Sequence, residues 1–192
     1  IGAFALTAEI LSGSRVPVVV SGGIVDGRGL AAALAMGAAG VHCGTAFLAT
    51  TESFAHDMHK RRLAAAHAAD TVLTDVFVLN WPRGAAVRVL ANSVTELLGD
   101  RLLGHDPETL PREPIAWDDD VPRLRFGTDS PLRTTKGELE AMALYAGQGV
   151  GRITDVVPAG ERLRLMTDEA TVLLGRFRSD GCGHEEARHG GE

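Results

Sequence analysis

A short strand-like segment followed closely by glycine occurs twice in this chain, and this repeated junction most constrains its fold. Val16–Val20 is rich in β-branched residues, which is typical of a strand buried on both faces of a parallel sheet, and it leads into Ser21–Gly27. Gly40–Cys43 predicts a second strand and leads directly into Gly44 and Thr45. Both junctions therefore predict a strand followed by a tight glycine loop.

A helix is predicted between the two strands, over Arg28–Met36. Asp26 is a good N-cap for this helix, and Gly37 is a typical residue to end it. Strand, glycine loop, helix, strand and glycine loop thus follow one another within about 30 residues, the length of a βαβ unit. This order predicts an α/β fold with a parallel sheet.

The glycines after the two strands predict a phosphate-binding site. At Gly22, Gly23 and Gly44 the missing side chain lets backbone N–H groups approach an anion closely. A helix N-terminus behind the loop adds a favourable dipole and free donors, and Thr45 adds a hydroxyl group. In barrels, a phosphate often lies between the loops that follow two late neighbouring strands. A purely structural role, in which the glycines only make tight turns, stays open.

The rest of the chain is predicted to be mostly helical, with one further strand. Helical spacing covers Phe4–Leu11, Glu52–Ala69, Arg83–Leu98, Glu138–Gln148 and Pro158–Phe177, and Thr71–Leu79 has the pattern of a strand. Residues 99–136 are rich in Pro, Asp and Arg and are predicted to be irregular. Only three strands of the parallel type are recognisable, whereas a (β/α)₈ barrel needs about eight.

The composition limits which partners the protein can bind and which cellular compartment suits it. A net charge of −6 leaves no basic surface for nucleic acid. No apolar run reaches the ~18 residues of a membrane span, and no secretory signal opens the chain. The two cysteines, Cys43 and Cys182, are too few for a disulfide framework or a four-cysteine metal site. A cytoplasmic, reducing setting fits this composition.

The histidines and Cys43 suggest no metal centre. His56 and His59 are spaced as on one helix face beside charged residues, and without a third ligand they are interpreted as solvated. His105, next to an aspartate in a predicted loop, is interpreted in the same way. Cys43 is interpreted as a small buried apolar residue rather than a reactive thiol.

Three segments of the chain, Pro17–Leu30, Ala31–Thr50 and Gly137–Gly151, resemble the nitronate monooxygenase family, formerly called 2-nitropropane dioxygenase. The resemblance implies an FMN-binding TIM barrel with a helical insertion, which oxidises alkyl nitronates with O₂ through the reduced flavin. It implies these FMN-binding residues: Gly22, Gly23, His42, Cys43, Gly44 and Thr45. It also places Tyr145, Gly147 and Gln148 near the mouth of the active site.

The chain departs from the family pattern at two places. His42 and Cys43 stand where the family usually has Gln followed by Met or Val. The family's catalytic base is a histidine in a Gly-Gly-His stretch just before the segment where this chain begins, and the sequence contains no such stretch. No catalytic residue is therefore predicted, and the chain, which begins at Ile1, is predicted to be a truncated C-terminal half of the family's protein.

The resulting domain prediction has four parts. Residues 1–98 form the later part of the barrel with both glycine loops and the start of the helical insertion, 99–136 an irregular excursion, 137–177 C-terminal helices, and 178–192 a disordered tail. Predicted partners are a nitronate or another small electron acceptor, O₂, and either the missing N-terminal half or a second copy. An FMN-dependent NAD(P)H:quinone reductase, an enoyl-acyl-carrier-protein reductase, a non-catalytic fragment and a phosphosugar-binding barrel remain alternatives.

Overall fold

The computed structural model describes residues 1–179, which divide into two units. Within these residues the first unit consists of 1–43 and 160–179, and the second consists of 44–159. In chain order the helices and strands are α1 (Ala3–Gly13), β1 (Val19–Ser21), α2 (Gly27–Ala35), β2 (Gly40–His42), α3 (Thr45–Leu48), α4 (Asp57–Ala65), β3 (Thr71–Thr74), β4 (Val87–Leu90), α5 (Ser93–Leu98), β5 (Pro114–Asp118), β6 (Val121–Leu124), β7 (Lys136–Gly137) and α6 (Ala159–Ser179).

The predicted βαβ unit is confirmed in the first unit. β1 and β2 pair in parallel, with Ser21 opposite His42, and α2 connects them. Asp26 caps α2 as predicted, because its Oδ1 accepts the N–H of Gly29 at 3.0 Å. Gly37 follows the helix with a φ of +97°, a conformation that favours glycine.

The prediction that β1 is buried on both faces is wrong for the described chain. Val20 is 9% exposed, whereas Val19 on the opposite face is 58% exposed. The small core of this unit consists of Val20, Ala33 and Ala38, and it covers only the face to which Val20 points. Within residues 1–179, β1 pairs with β2 alone, so the strand has one covered face and one open edge.

The second unit is built on two small antiparallel sheets. β3 pairs with β4, and β5 lies between β6 and β7. Its core combines side chains from β4 and β5, from the loop after β3, from α5 and from the segment that precedes α6: Val76, Phe77, Val87, Val89, Val94, Ile115, Ala116, Ala141, Met142 and Ala143. The described residues thus form an α/β structure with three small sheets and no closed barrel.

Several predicted boundaries in the second unit are wrong. The helix predicted over Glu52–Ala69 is only α4, because the chain before it pairs with another segment: Ala55 forms an antiparallel bridge with Leu132, and Arg133 N–H donates to the Phe54 carbonyl at 2.7 Å. The strand predicted over Thr71–Leu79 ends at Thr74. The helical spacing over Arg83–Leu98 corresponds to β4 followed by the short helix α5.

Residues 99–136 are more regular than predicted. They contain β5 and β6, which pair as a hairpin across Asp119 and Asp120. Asp119 has a φ of +50°, a left-handed conformation that aspartate tolerates better than most residues. The prediction of an irregular excursion is therefore wrong for this hairpin, and burial alternates along neither of its strands.

The segment Glu138–Gln148 is not the predicted helix. Apart from 3₁₀ turns at Leu139–Ala141 and from Gln148 onward, it runs alongside β4, and Leu90 N–H donates to the Leu144 carbonyl at 2.8 Å. Residues 141–144 are all buried, and a lone amphipathic helix would expose part of this run.

The helices predicted at the two ends of the chain are confirmed. Phe4–Leu11 lies in α1, and Pro158–Phe177 corresponds to α6. Arg178 and Ser179 continue α6, and the rest of the predicted disordered tail lies outside the described residues. Among residues 1–179, no helix combines the length and apolar character that crossing a membrane requires.

Candidate functional site

The loop after β1 has the backbone that an anion site needs. Gly22 and Gly23 have φ values of +109° and +72°, which side-chain-bearing residues rarely adopt. A Cβ atom added at either position would meet no atom within 4 Å. Glycine is therefore required here by backbone conformation and not by crowding, and the space around the loop is open to a ligand.

The end of β2 lies beside the end of β1 and brings His42 to this loop. In the parallel register Ser21 stands opposite His42, and Ser21 Oγ lies 3.4 Å from His42 Nδ1. Both side chains are exposed, and each precedes a residue predicted to bind the cofactor, Gly22 and Cys43. Ser21 was not among the predicted site residues, although the pairing of strand ends could have identified it.

The start of α2 differs from the prediction of free donors behind the loop. Asp26 accepts the N–H of Gly29, and Glu169 Oε2 accepts the N–H of Gly27 at 2.9 Å. Two of the first three helical N–H groups are thus already bonded to carboxylates. Glu169 lies on α6, and no local sequence signal could have linked it to a residue 142 positions earlier.

A pocket of about 240 Å³ adjoins the glycine loop within the first unit. Gly22 and Gly23 form part of its wall, together with Val20, Ile24 and, from α1, Phe4. The remaining lining residues are Ala3, Thr7, Gly29, Ala33 and Met36. Apolar walls beside a few backbone donors are characteristic of small-molecule and cofactor sites.

Cys43 is half-buried at the end of β2. Burial raises the pKa of its thiol, so the group is protonated at neutral pH. A protonated thiol is a poor nucleophile, which agrees with the interpretation of Cys43 as a packing residue.

In the second unit, two of the predicted residues are in direct contact. Gly44 precedes α3 as its N-cap residue, and Thr45 is the first residue of that helix. Thr45 Oγ1 accepts the backbone N–H of Gly147 at 2.9 Å. Gln148 begins the next 3₁₀ turn and is exposed. Thr45, Gly147 and Gln148 are therefore neighbours in this unit.

The hydroxyl of Tyr145 is used inside the second unit. It donates to the Thr128 carbonyl at 2.7 Å, and burial raises the pKa of Tyr145 to about 12. The backbone carbonyl of Tyr145 lies 3.1 Å from His59 Nε2. Tyr145 is thus a fixed, protonated side chain.

The interpretation of His59 and His105 as solvated is wrong. His59 is 0% exposed, and burial lowers its pKa to about 4. His105 Nδ1 lies 2.7 Å from Asp75 Oδ1, and its side chain is 15% exposed. Burial raises the pKa of Asp75, but hydrogen bonds from His105 and Gly104 outweigh this effect and lower it below its usual value. Tertiary contacts absent from the local pattern fix both histidines.

His56 also has a structural role, since its Nδ1 accepts the Met58 N–H at 3.1 Å and caps α4. Among residues 1–179, no three His, Cys, Asp or Glu side chains are grouped so that they could hold a metal ion.

Comparison with known proteins identifies relatives of this chain. The sequence model of the family named nitronate monooxygenase matches residues 1–169. A nitronate monooxygenase of Paraburkholderia phytofirmans is 35% identical over 178 residues, which cover 93% of this chain and 44% of the relative. A probable nitronate monooxygenase of Bacillus subtilis is 31% identical over 171 residues, or 88% of this chain and 44% of the relative.

Solved structures also match most of this chain. Nitroalkane oxidase from Streptomyces ansochromogenes superimposes with a TM-score of 0.66 and 34% identity, covering 94% of this chain and 45% of that one. FabK from Thermotoga maritima gives a TM-score of 0.69 and 26% identity, covering 94% and 52%. The chain spans about half the length of the relatives it matches, and these matches do not bear out the prediction that the shared half is C-terminal. The chain belongs to the nitronate monooxygenase family.

Proposed function

We propose that this chain binds the phosphate of FMN and forms part of an oxidoreductase that acts on alkyl nitronates. The observation that carries the proposal is the backbone of Gly22 and Gly23, two exposed glycines with positive φ at the end of a parallel strand. Backbone N–H groups in such a turn are suited to a phosphate. Membership of the family supplies the reaction class.

The residues of the first unit fit a flavin nucleotide. Gly22 and Gly23 would bind the phosphate through their N–H groups, and the adjoining pocket of about 240 Å³ offers an apolar surface. His42, at the end of the neighbouring strand, can donate from its ring to a phosphate oxygen, and Cys43 would contribute its backbone. When bound, FMN supplies the electron transfer between the nitronate and O₂.

Separate roles are proposed for residues of the second unit. Thr45 Oγ1 accepts a hydrogen bond from Gly147, which leaves its own O–H free to donate to an anion. The N–H of Gly44 is a candidate donor by the family resemblance. Tyr145, Gly147 and Gln148 are proposed to border the substrate, with Gln148 the exposed polar side chain among them.

No general base is assigned within residues 1–179. A base must reach the proton that it removes from the substrate. His59 is buried with hydrogen bonds at both ring nitrogens, His105 is bound to Asp75, and His56 caps α4. We therefore propose that the described residues form a cofactor-binding part of a TIM barrel, and that the proton-abstracting residue of the complete enzyme lies elsewhere.

Titration of the chain with FMN and with riboflavin, followed by flavin fluorescence, tests this function. Since riboflavin lacks the phosphate, FMN should bind at least about tenfold more tightly if the glycine loop contributes a normal set of charge-assisted hydrogen bonds. Equal affinity for both flavins, or no binding of either, would overturn the proposal.

Activity separates the alternative functions. An enzyme that combines this chain with its complementary part should consume O₂ in the presence of an alkyl nitronate. If reduction of a quinone by a nicotinamide nucleotide is faster instead, the reductase alternative replaces the nitronate assignment.

A further inference from the structure

The carboxylate of Glu169, on helix α6, binds the first turn of α2. Gly27, the first residue of α2, donates its N–H to Glu169 Oε2 at 2.9 Å. The other oxygen, Oε1, lies 3.3 Å from Nε of Arg28. The Arg28 side chain is exposed, so this ion pair contributes little by itself, and the backbone hydrogen bond is the stronger tie.

Gly27 is also packed tightly against the backbone of α6. A Cβ atom at Gly27 would lie 2.5 Å from the Met166 carbonyl oxygen and 2.5 Å from Glu169 Cβ. Only glycine permits so close an approach of α2 to α6. The first turn of α2 is therefore held both by a hydrogen bond and by backbone contact.

The glycine loop depends on how its two ends are held. Its N-terminal end continues from β1, which is paired with β2, and its C-terminal end is the start of α2. Side chains added at Gly22 or Gly23 would meet open space, so packing around these two residues does little to restrain them. Glycine has the largest conformational freedom of any residue, and a loose anchor would let the loop sample many shapes.

We propose that Glu169 is a positioning residue for this loop: by anchoring Gly27 it keeps the N–H groups of residues 22 and 23 in a conformation ready to bind a phosphate. The inference rests on the function proposed above, because it concerns the same loop. A preorganised loop loses less conformational entropy on binding than a mobile one. Glu169 touches the anchor and is not assigned any contact with the cofactor.

Three variants of the full chain test the proposal. E169A removes the acceptor, E169Q keeps a side-chain oxygen of the same reach, and D168A removes a neighbouring exposed acid on α6 as a matched control. We expect E169A to weaken FMN binding about five- to tenfold, because the loosened loop must be ordered on binding, while riboflavin affinity stays unchanged. E169Q should restore most of the FMN affinity, and D168A should leave it unchanged.

Amide hydrogen exchange without flavin gives a reading that does not depend on the proposed function. E169A should speed exchange across residues 22–29 and leave the second unit unchanged, whereas D168A should not alter the loop. If E169A fails to fold, E169D, which keeps the charge but shortens the reach, replaces it and should speed exchange in the same residues.

The outcomes are distinguishable. Unaltered exchange in residues 22–29 of E169A overturns the positioning role, whatever the flavin affinities are. Tighter FMN binding by both E169A and E169Q would also overturn it, since the carboxylate would then only repel the phosphate. If wild-type chain shows no preference for FMN over riboflavin but E169A loosens the loop, the positioning role stands and the proposed cofactor function fails.

Discussion

Gly147 donates its backbone N–H to Thr45 Oγ1 at 2.9 Å, although 102 positions separate the two residues. Thr45 follows β2, and Gly147 precedes the 3₁₀ turn that begins at Gln148. The contact fixes the Thr45 side chain and leaves its O–H as a donor. The Thr45 hydroxyl can then act toward a ligand as a hydrogen-bond donor. Replacing Thr45 therefore tests both this donor and the hydrogen bond from Gly147.

Replacing Thr45 with Ala leaves the Gly147 N–H without this acceptor. We expect T45A to lower the free energy of unfolding by about 1 kcal/mol and to weaken FMN binding, and T45S to retain both properties. Urea unfolding and flavin titration measure the two effects. T51A, which removes an exposed hydroxyl that donates to Glu52 Oε2, is the control. An unfolding free energy of T45A equal to that of T51A would show that this hydrogen bond has no net value.

Replacing Gly23 with Val should abolish FMN binding. The branched side chain disfavours a φ of +72° and occupies the open space at the loop. G84V is the matched control, because Gly84 has a φ of +79° and similarly open surroundings in the other unit. Both variants should lose about 1–2 kcal/mol of stability from backbone strain, and only G23V should lose FMN affinity. Unchanged FMN affinity in folded G23V would contradict the assignment of the loop.

Replacing Gly27 with Ala should destabilise the chain. The new methyl group would lie 2.5 Å from the Met166 carbonyl oxygen, so α2 and α6 would have to separate at a cost of about 2 kcal/mol or more. G160A, near the start of α6, meets no atom within 4 Å and should be neutral or slightly stabilising. Thermal unfolding compares the two variants, and equal melting temperatures would show that the approach at Gly27 is not tight in solution.

Acid should destabilise the fold through His59. Its pKa falls from 6.5 to about 4 on burial, so the unfolded chain binds a proton that the folded chain rejects. Stability should decrease by about 2–3 kcal/mol as the pH falls from about 7 to about 4, and below that range both states are protonated. H59Q should show a smaller decrease than wild type in urea unfolding. H67Q, which alters an exposed histidine, should follow wild type. Parallel curves for H59Q and wild type would refute this origin of the pH dependence.

The neutral state also fixes how the His59 ring is oriented. The Tyr145 carbonyl can only accept, so Nε2 carries the proton, and Nδ1 accepts from Ser130 Oγ at 3.3 Å. Nitrogen chemical shifts of the ring should therefore report an Nε2–H tautomer at neutral pH.

The local part of the fold was predictable from the sequence. The cap at Asp26, the helix end at Gly37 and the parallel pairing of β1 with β2 follow from residue types with short-range preferences. The segment from Leu139 to Gln148 was not predictable, because its alanine and leucine content favours a helix while burial and hydrogen bonding along β4 favour an extended chain. Tertiary contacts outweighed propensity there.

The candidate site likewise contains residues that the local sequence predicts and residues that only tertiary contacts reveal. Gly22 and Gly23 were recognisable, since only glycine suits their backbone. Ser21 required the strand register, and Glu169 required a helix from the other end of the chain. His105 was mistaken for a solvated residue because Asp75, which binds it, lies 30 positions earlier.

The division of the chain has a consequence for its synthesis. Residues 44–159 are contiguous, whereas the first unit needs both its opening residues and α6. On a ribosome the central segment can acquire its contacts while α6 is still untranslated. In the opening βαβ segment, α2 is anchored only after Glu169 has emerged from the ribosome. A nascent chain arrested before that codon would therefore have a glycine loop whose C-terminal end is not yet held.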